Sequence, residues 1–212
     1  MNTLNPFWLV ILAGMISLVP IVLSLGTSML KISIVLSLIK QSLGTQSVPG
    51  PIVTMSLSLV LTWLVMGSTF SACYEALPSD YLAVVQRAPT KENIARIGVA
   101  VAPWKMFLEK HSGPREVVAL DAINPEQGLG FGELILAFML TELREAFTLG
   151  FVLLIPFLVI DLIVSQILVG IGLTMLSPTL ISLPLKLLLF VASDAWILIS
   201  RGLIQSYGAT GG

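Results

Sequence analysis

Two long uncharged runs of apolar residues dominate the first third of the chain. They cover residues 7–25 and 52–71. A helix needs about 20 such residues to cross the roughly 30 Å hydrocarbon core of a bilayer. The residues between the runs include Gly44, Pro49, Gly50 and Pro51, which interrupt a helix. The pattern predicts an antiparallel pair of membrane helices.

The pattern changes between residues 77 and 132, where charged residues of both signs concentrate. Apolar residues from Ile94 to Leu108 recur at spacings of three and four, which is typical of an amphipathic helix. Pro103 is expected to bend this helix. We predict a small helical domain in water that contacts its neighbours, because so short a segment buries little surface alone. His111 is expected to be solvated there.

Two further apolar runs follow, over residues 146–176 and 187–200. The first would be about 46 Å long as a straight helix, so it must tilt, bend or leave the lipid. Pro156 is the predicted bend, and Gly170 and Gly172 are the predicted end. The sequence therefore predicts an all-α integral membrane protein of helical hairpins, with about four apolar segments. Its predicted parts are an N-terminal hairpin (1–76), a polar domain (77–132) and a C-terminal hairpin (133–212).

Composition supports this class and excludes others. Charged residues make up 11 % of the chain, whereas soluble domains have about 25 %. A net charge of −1 argues against nucleic-acid binding. A single cysteine and a single histidine argue against disulfides, a metal centre or a catalytic triad. No catalytic residue, metal ligand or cofactor is predicted.

The lysines indicate an orientation. Lys31 and Lys40 flank the first short loop, which favours the cytoplasmic side. The polar domain would then face the periplasm, and the protein would be a multi-pass protein of the bacterial inner membrane.

Charged residues within or beside the apolar runs are the most informative positions. One such group at the centre of a lipid-facing helix costs roughly 3 kcal/mol. These residues should therefore face protein or water and find partners, although the sequence alone does not pair them. The alternative is that some lie at helix ends and extend to the membrane surface. The set comprises Lys31, Glu142, Arg144, Glu145, Asp161, Lys186 and Asp194.

Three blocks of sequence resemble one family. The first contains Thr27-Ser28-Met29-Leu30-Lys31-Ile32 and Leu43-Gly44-Thr45-Gln46. The second contains Glu142-Leu143-Arg144-Glu145-Ala146-Phe147, Gly150-Phe151 and residues 156–162. The third contains Leu176-Ser177-Pro178, residues 181–191 and Asp194-Ala195-Trp196. In this order they resemble the FliP/SctR (YscR, HrcR) family of type III secretion export-gate proteins.

The resemblance implies a protein-conducting role. Family members form an oligomer, expected to be a pentamer, with two smaller membrane proteins (SctS/FliQ-like and SctT/FliR-like) around a narrow pore. Further export-apparatus proteins, unfolded secreted substrates and membrane lipid are the other implied partners. Glu142 and Lys186 are the implied ion pair between neighbouring copies. The implied pore constriction is the apolar turn Gly172, Leu173, Thr174 and Met175. Without the family, this turn would be interpreted as a loop at the membrane surface.

Two alternatives remain beside this hypothesis. The injectisome branch of the family is favoured, because the first apolar run begins close to residue 1, but a flagellar export-gate subunit is the alternative within the family. Outside the family, a small-solute or ion transporter could use Asp161 and Lys186 as a relay. Such a transporter commonly has repeated halves, and no internal repeat is visible. An intramembrane enzyme is disfavoured by the single histidine.

Overall fold

The computed structural model describes residues 14, 17, 24–44, 49–80, 91–123, 129–173 and 175–208, without the side chains of 91–95 and 97. The described residues form helices joined by turns and contain no strand, which confirms the predicted all-α fold. The helices are α1 (Met29–Ser42), α2 (Pro51–Glu75), α3 (Lys91–His111), α4 (Pro114–Asp121), α5 (Phe131–Gly170), α6 (Pro178–Ala192) and α7 (Ala195–Gly208).

Local sequence explains where several helices begin and end. α2, α4 and α6 each begin with a proline, whose fixed φ angle and missing N–H suit the first helical position. α5 ends at Gly170, and the turn that follows contains Gly172 at φ +79°. There the Leu173 N–H bonds to the Leu168 carbonyl at 2.9 Å. The Gly172 N–H bonds to the Val169 carbonyl at 3.0 Å. These two bonds form a Schellman motif, which uses carbonyls that the helix would otherwise leave unpaired.

α5 organises the packing of the other helices. Its 40 residues give a length of about 60 Å, and α1, α3, α4 and α6 all pack against it. Gly150 of α5 faces α1, where an added Cβ would overlap the Leu38 side chain. A glycine at this position therefore lets two helices approach more closely than a larger residue would allow.

Buried apolar residues form two clusters. The first joins α1, α2, α5, α6 and α7 and includes Ile32, Val35, Phe157 and Ile199. The second joins α2, α3, α5 and α7; its members are Met66, Phe107, Leu108, Leu134, Phe138 and Tyr207. The polar segment α3 thus packs on the membrane helices through one apolar face, as its helical period predicts.

Two of the described helices, α2 and α5, are long and apolar enough to cross a bilayer. α6 and α7 together would provide a third crossing, but they meet at an angle of 62°. Large side chains on the outer face of α5 are exposed in the single chain, among them Phe147, Phe151 and Leu162. An exposed face this apolar requires lipid or neighbouring protein.

In the C-terminal half, α5 contains Pro156 and ends at Gly170, at the predicted end of this segment. The sequence and the structure differ at one point. The predicted segment over residues 187–200 is divided instead, because α6 ends at Ala192 and α7 begins at Ala195. Asp194 lies between them at φ +46°, a left-handed conformation that no continuous right-handed helix contains. Most of the first apolar run, residues 7–25, lies outside the described residues.

Candidate functional site: buried ion pairs and an exposed apolar turn

The first site is a charged cluster between α1 and α5, hereafter the Lys31 cluster. The Lys31 Nζ atom lies 3.1 Å from Glu142 Oε1 and 2.8 Å from Glu145 Oε2. The side chains of Lys31 and Glu142 are both only 1 % exposed. Glu142 and Glu145 lie on one face of α5 because they are three residues apart. Burial removes water from these charges, so each depends on its partner.

Tyr207 of α7 completes the Lys31 cluster. Its hydroxyl donates a hydrogen bond to Glu142, and the Lys31 Nζ atom lies 3.9 Å from the centre of its ring. Lys31 Nζ also lies 3.5 Å from the Ser206 hydroxyl. An ammonium above a desolvated aromatic ring is stabilised by about 2 kcal/mol. Tyr207 therefore contacts both members of the ion pair, Lys31 through its ring and Glu142 through its hydroxyl.

The second site joins the C-terminal helices to the end of α1. The Lys186 Nζ atom lies 2.7 Å from Asp161 Oδ2 and donates to the Ser42 carbonyl at 3.0 Å. Ser182 donates to the other Asp161 oxygen. Lys186 is buried, whereas Asp161 remains one-third exposed. The Ser42 carbonyl is at the C-terminus of α1, where the helix dipole favours a cation.

The third site fixes α4 against α5. The Arg144 Nε atom lies 2.8 Å from Glu116 Oε1, and the Gly113 N–H donates to the Thr141 hydroxyl at 2.8 Å. Arg144 is 52 % exposed, while Glu116 is largely buried. Arg144 therefore holds the polar segment at the edge of the apolar helices.

Two predicted site residues, Glu142 and Lys186, lie in different clusters of the single chain. Glu142 pairs with Lys31, and Lys186 pairs with Asp161. Because one chain is described, the pair between neighbouring copies stays a prediction. Asp194 is exposed at the bend between α6 and α7, so the fold of one chain does not bury it.

The predicted constriction residues lie in the turn between α5 and α6. Gly172 has a conformation that favours glycine, Leu173 is 45 % exposed and Met175 is 100 % exposed. Thr174 lies outside the described residues. A fully exposed methionine offers a flexible apolar group that can adapt to different contacts.

Several residues of these sites escaped sequence reasoning. Tyr207, Ser182 and Glu116 are polar partners of Glu142, Asp161 and Arg144, and each lies on a different helix from its partner. His111 is 8 % exposed, so its predicted solvated position is wrong. The signal that could have identified His111 is its place at the end of an amphipathic helix whose apolar face continues into Phe107 and Leu108.

The chemistry of the sites is that of ion pairing. Among the described residues, no three His, Cys, Asp or Glu side chains lie together as a metal site requires. The charges are joined by hydrogen bonds to hydroxyls and carbonyls. The arrangement defines an integral membrane protein whose apolar helices are connected by sheltered ion pairs, with one apolar turn left exposed.

Comparison with known proteins agrees with the resemblance seen in the sequence. The model of the FliP family matches residues 12–203. The Yop proteins translocation protein R of Yersinia pestis is 33 % identical, over 94 % of this chain and 95 % of its own. The flagellar biosynthetic protein FliP of Bacillus subtilis is 37 % identical, over 97 % of this chain and 94 % of its own length. The surface presentation of antigens protein SpaP of Shigella flexneri is 34 % identical, over 90 % and 91 %.

The chain belongs to the FliP family. Its relatives are components of type III secretion and of flagellar export, and the chain has the properties of an inner-membrane protein of such an apparatus. Other export proteins are therefore among its partners. The family was predicted from the sequence, and this prediction is confirmed.

Proposed function

We propose that this protein is a pore-forming subunit of a type III secretion export gate, which passes unfolded proteins across the bacterial inner membrane. The observation that carries the proposal is the match to translocation and export proteins over nine-tenths or more of this chain. The protein has a structural role and catalyses no reaction itself. Several copies, expected to be five, assemble with two smaller export-gate membrane proteins.

The surface of the single chain supports an assembled state. Much of α5 and α6 is apolar and exposed, including Phe151, Leu180 and Leu188. Neighbouring copies would cover these faces, and the turn from Gly172 to Met175 would then line the passage. The relatives whose names refer to translocation of Yop proteins and presentation of antigens favour the injectisome branch.

Cysteine crosslinking tests the position of the turn. In a Cys73→Ser background, Met175→Cys is expected to crosslink between copies or to a substrate stalled in the gate. The matched control is Val191→Cys, which is 73 % exposed on the same hairpin but far along α6 from the turn. We expect no substrate crosslink at Val191. Labelling of Met175→Cys by lipid-phase reagents alone would contradict the proposed constriction.

We also propose that the polar segment from α3 to α4 faces the periplasm, as the lysines around the first loop favour. Alkaline phosphatase fused after Ser112, near the end of α3, is expected to be active, because this enzyme folds in the periplasm. A fusion after Leu43 is the matched control and should be inactive. Activity at Leu43 and none at Ser112 would invert the orientation.

A second candidate function follows from the Asp161–Lys186 pair, whose atoms lie 2.7 Å apart within apolar helices. A small-solute or ion transporter could use such a pair as a relay. This alternative predicts transport by the purified chain alone in liposomes. An export-gate subunit instead requires its partners. Liposomes that contain the purified chain and show no transport, together with recovery of a multi-subunit complex from cells, would favour the first proposal.

A further inference from the structure

The first apolar segment of the chain is interrupted just before α1. It is helical at residues 24–25, whereas residues 26–28 form a bend and a turn. In an uninterrupted helix the Leu30 N–H would donate to the Gly26 carbonyl, four residues earlier. Here the Leu30 N–H faces the Thr27 carbonyl at 3.5 Å instead. Gly26 is buried, so its carbonyl needs a donor from elsewhere.

That donor comes from the polar segment. The Trp104 Nε1–H of α3 donates to the Gly26 carbonyl at 2.6 Å, across 78 positions of sequence. An indole nitrogen is a donor only, which suits an unpaired carbonyl. The other side of the indole meets the Phe131 ring edge to face, with centres 5.3 Å apart, where α5 begins. Trp104 therefore replaces the backbone N–H that the interrupted helix does not supply.

Gly26 is the residue that this contact requires. A Cβ atom added at Gly26 would overlap the Trp104 ring. Glycine inside a helix is also less favourable than alanine, because it loses more backbone freedom when it becomes ordered. One residue therefore weakens the continuous helix and leaves room for the indole that takes over its hydrogen bond.

Two further helices contact the interruption more weakly. The Tyr207 hydroxyl of α7 lies 3.4 Å from the Ser28 carbonyl, and the Ser28 N–H lies 3.4 Å from the Met66 sulfur of α2. Both distances are at the long end for hydrogen bonds, whereas that of Trp104 is short. Among these contacts, the indole contact thus restrains the interruption most strongly.

We propose that Trp104 acts as a latch, which holds the first apolar segment bent at Gly26 and couples its direction to the polar segment. In the latched state the indole N–H binds the Gly26 carbonyl. In the released state the Leu30 N–H binds it, and the helix is continuous from residue 24 into α1. A movement of α3 away from α1 would thereby change the direction of the residues before Gly26. The proposal does not depend on the export function.

The physical basis of the latch is an exchange of one hydrogen bond for another. The Gly26 carbonyl is paired in both states, so neither leaves a buried acceptor without a donor. The released state gains regular helix, and the latched state gains the packing of the indole on Gly26 and Phe131. Small changes at the indole should therefore shift the balance between the two states.

Distances between spin labels test the latch. In the full-length Cys73→Ser chain in detergent, labels are attached at Ser17→Cys in the first apolar segment and at Lys110→Cys on α3, both exposed positions. Trp104→Phe keeps an aromatic ring but has no N–H. We expect a second distance to appear, with the ratio of released to latched protein raised at least about fivefold, the effect of one net hydrogen bond.

The matched control for this measurement is Trp63→Phe, which changes a tryptophan on the outer face of α2 that is 66 % exposed. It should leave the distance distribution as it is in the parent protein. A Trp104→Phe distribution that is also unchanged would overturn the latch.

Gly26→Ala tests the same contact from the other side. Its methyl group overlaps the indole, so the variant should unfold at a lower temperature than the parent and populate the second distance. In a Trp104→Ala background the overlap is absent, and Gly26→Ala should then cause no loss of stability. Gly98→Ala is the matched control on α3, because an added Cβ there meets no atom within 4 Å.

An equal loss of stability from Gly26→Ala in both backgrounds would show that Gly26 and Trp104 do not act together, and it would refute the proposal. If Gly26→Ala does not fold, the spin-label distances of Trp104→Phe decide between a latch and a passive contact.

Discussion

Replacement of Lys31 by methionine is expected to destabilise the protein by about 3–5 kcal/mol. Methionine has nearly the length of lysine but no charge. The variant therefore leaves the Glu142 carboxyl group, which is 1 % exposed, without its positively charged partner. Removing one member of a buried pair is costly because the other charge keeps its desolvation penalty. The unfolding temperature in detergent and the yield of folded protein measure the effect, and secretion should fall with them.

Two comparisons make this result specific. Lys105→Met removes an exposed lysine that lies 3.5 Å from Glu109, and such a surface pair contributes about 0.5 kcal/mol or less. Adding Glu142→Gln to Lys31→Met should restore much of the stability, because the neutral pair no longer needs a counter-charge. A Lys31→Met protein as stable as Lys105→Met would show that the buried pair does not stabilise the fold.

Replacement of Asp161 by leucine should produce the second-largest loss, on the order of 3 kcal/mol. It leaves the buried Lys186 ammonium with the Ser42 carbonyl and without its carboxylate. The double variant Asp161→Leu and Lys186→Leu should recover, since an apolar pair suits this apolar environment. Unfolding temperatures of the four proteins give the coupling energy between the two residues.

Charge-reversal variants distinguish ion pairs within one chain from ion pairs between copies. Glu142→Lys is expected to block assembly, and Lys186→Glu is expected to restore it if these two residues pair between neighbours. Assembly yield measures this coupling, whereas the stability of the single chain measures the Asp161–Lys186 coupling. Normal assembly and secretion by Glu142→Lys alone would rule out the pair between copies, and it would also contradict a stabilising pair of Lys31 and Glu142 within one chain.

Local sequence was sufficient to predict the fold class and many element positions. The uncharged run over residues 52–71 lies within α2, and the period of three and four after Ile94 lies within α3. These features depend on near neighbours in the sequence, which share a helix and its environment. The start of α5 was less predictable, because the helix begins at Phe131, well before the apolar run.

The sites were predictable only in part. The sequence identified Lys31, Glu142, Asp161 and Lys186 as charges in apolar surroundings, and the single chain provides each with a partner. It did not identify the partners. Sequence reasoning assigned Tyr207 no role, because its importance arises from a contact with Glu142, which is 65 positions away.

The sequence by itself determined that this protein is a helical membrane protein with charges placed among apolar helices. Composition and period decide this, because each depends on residues that are close in the chain. The family was indicated separately, by three blocks of sequence that resemble FliP proteins. Only the tertiary structure decided that Lys31 meets Glu145, 114 positions away, and that His111 meets Tyr207, 96 positions away. Such pairs depend on which helix faces come together, and close approaches such as that of Gly150 to Leu38 set those faces in three dimensions.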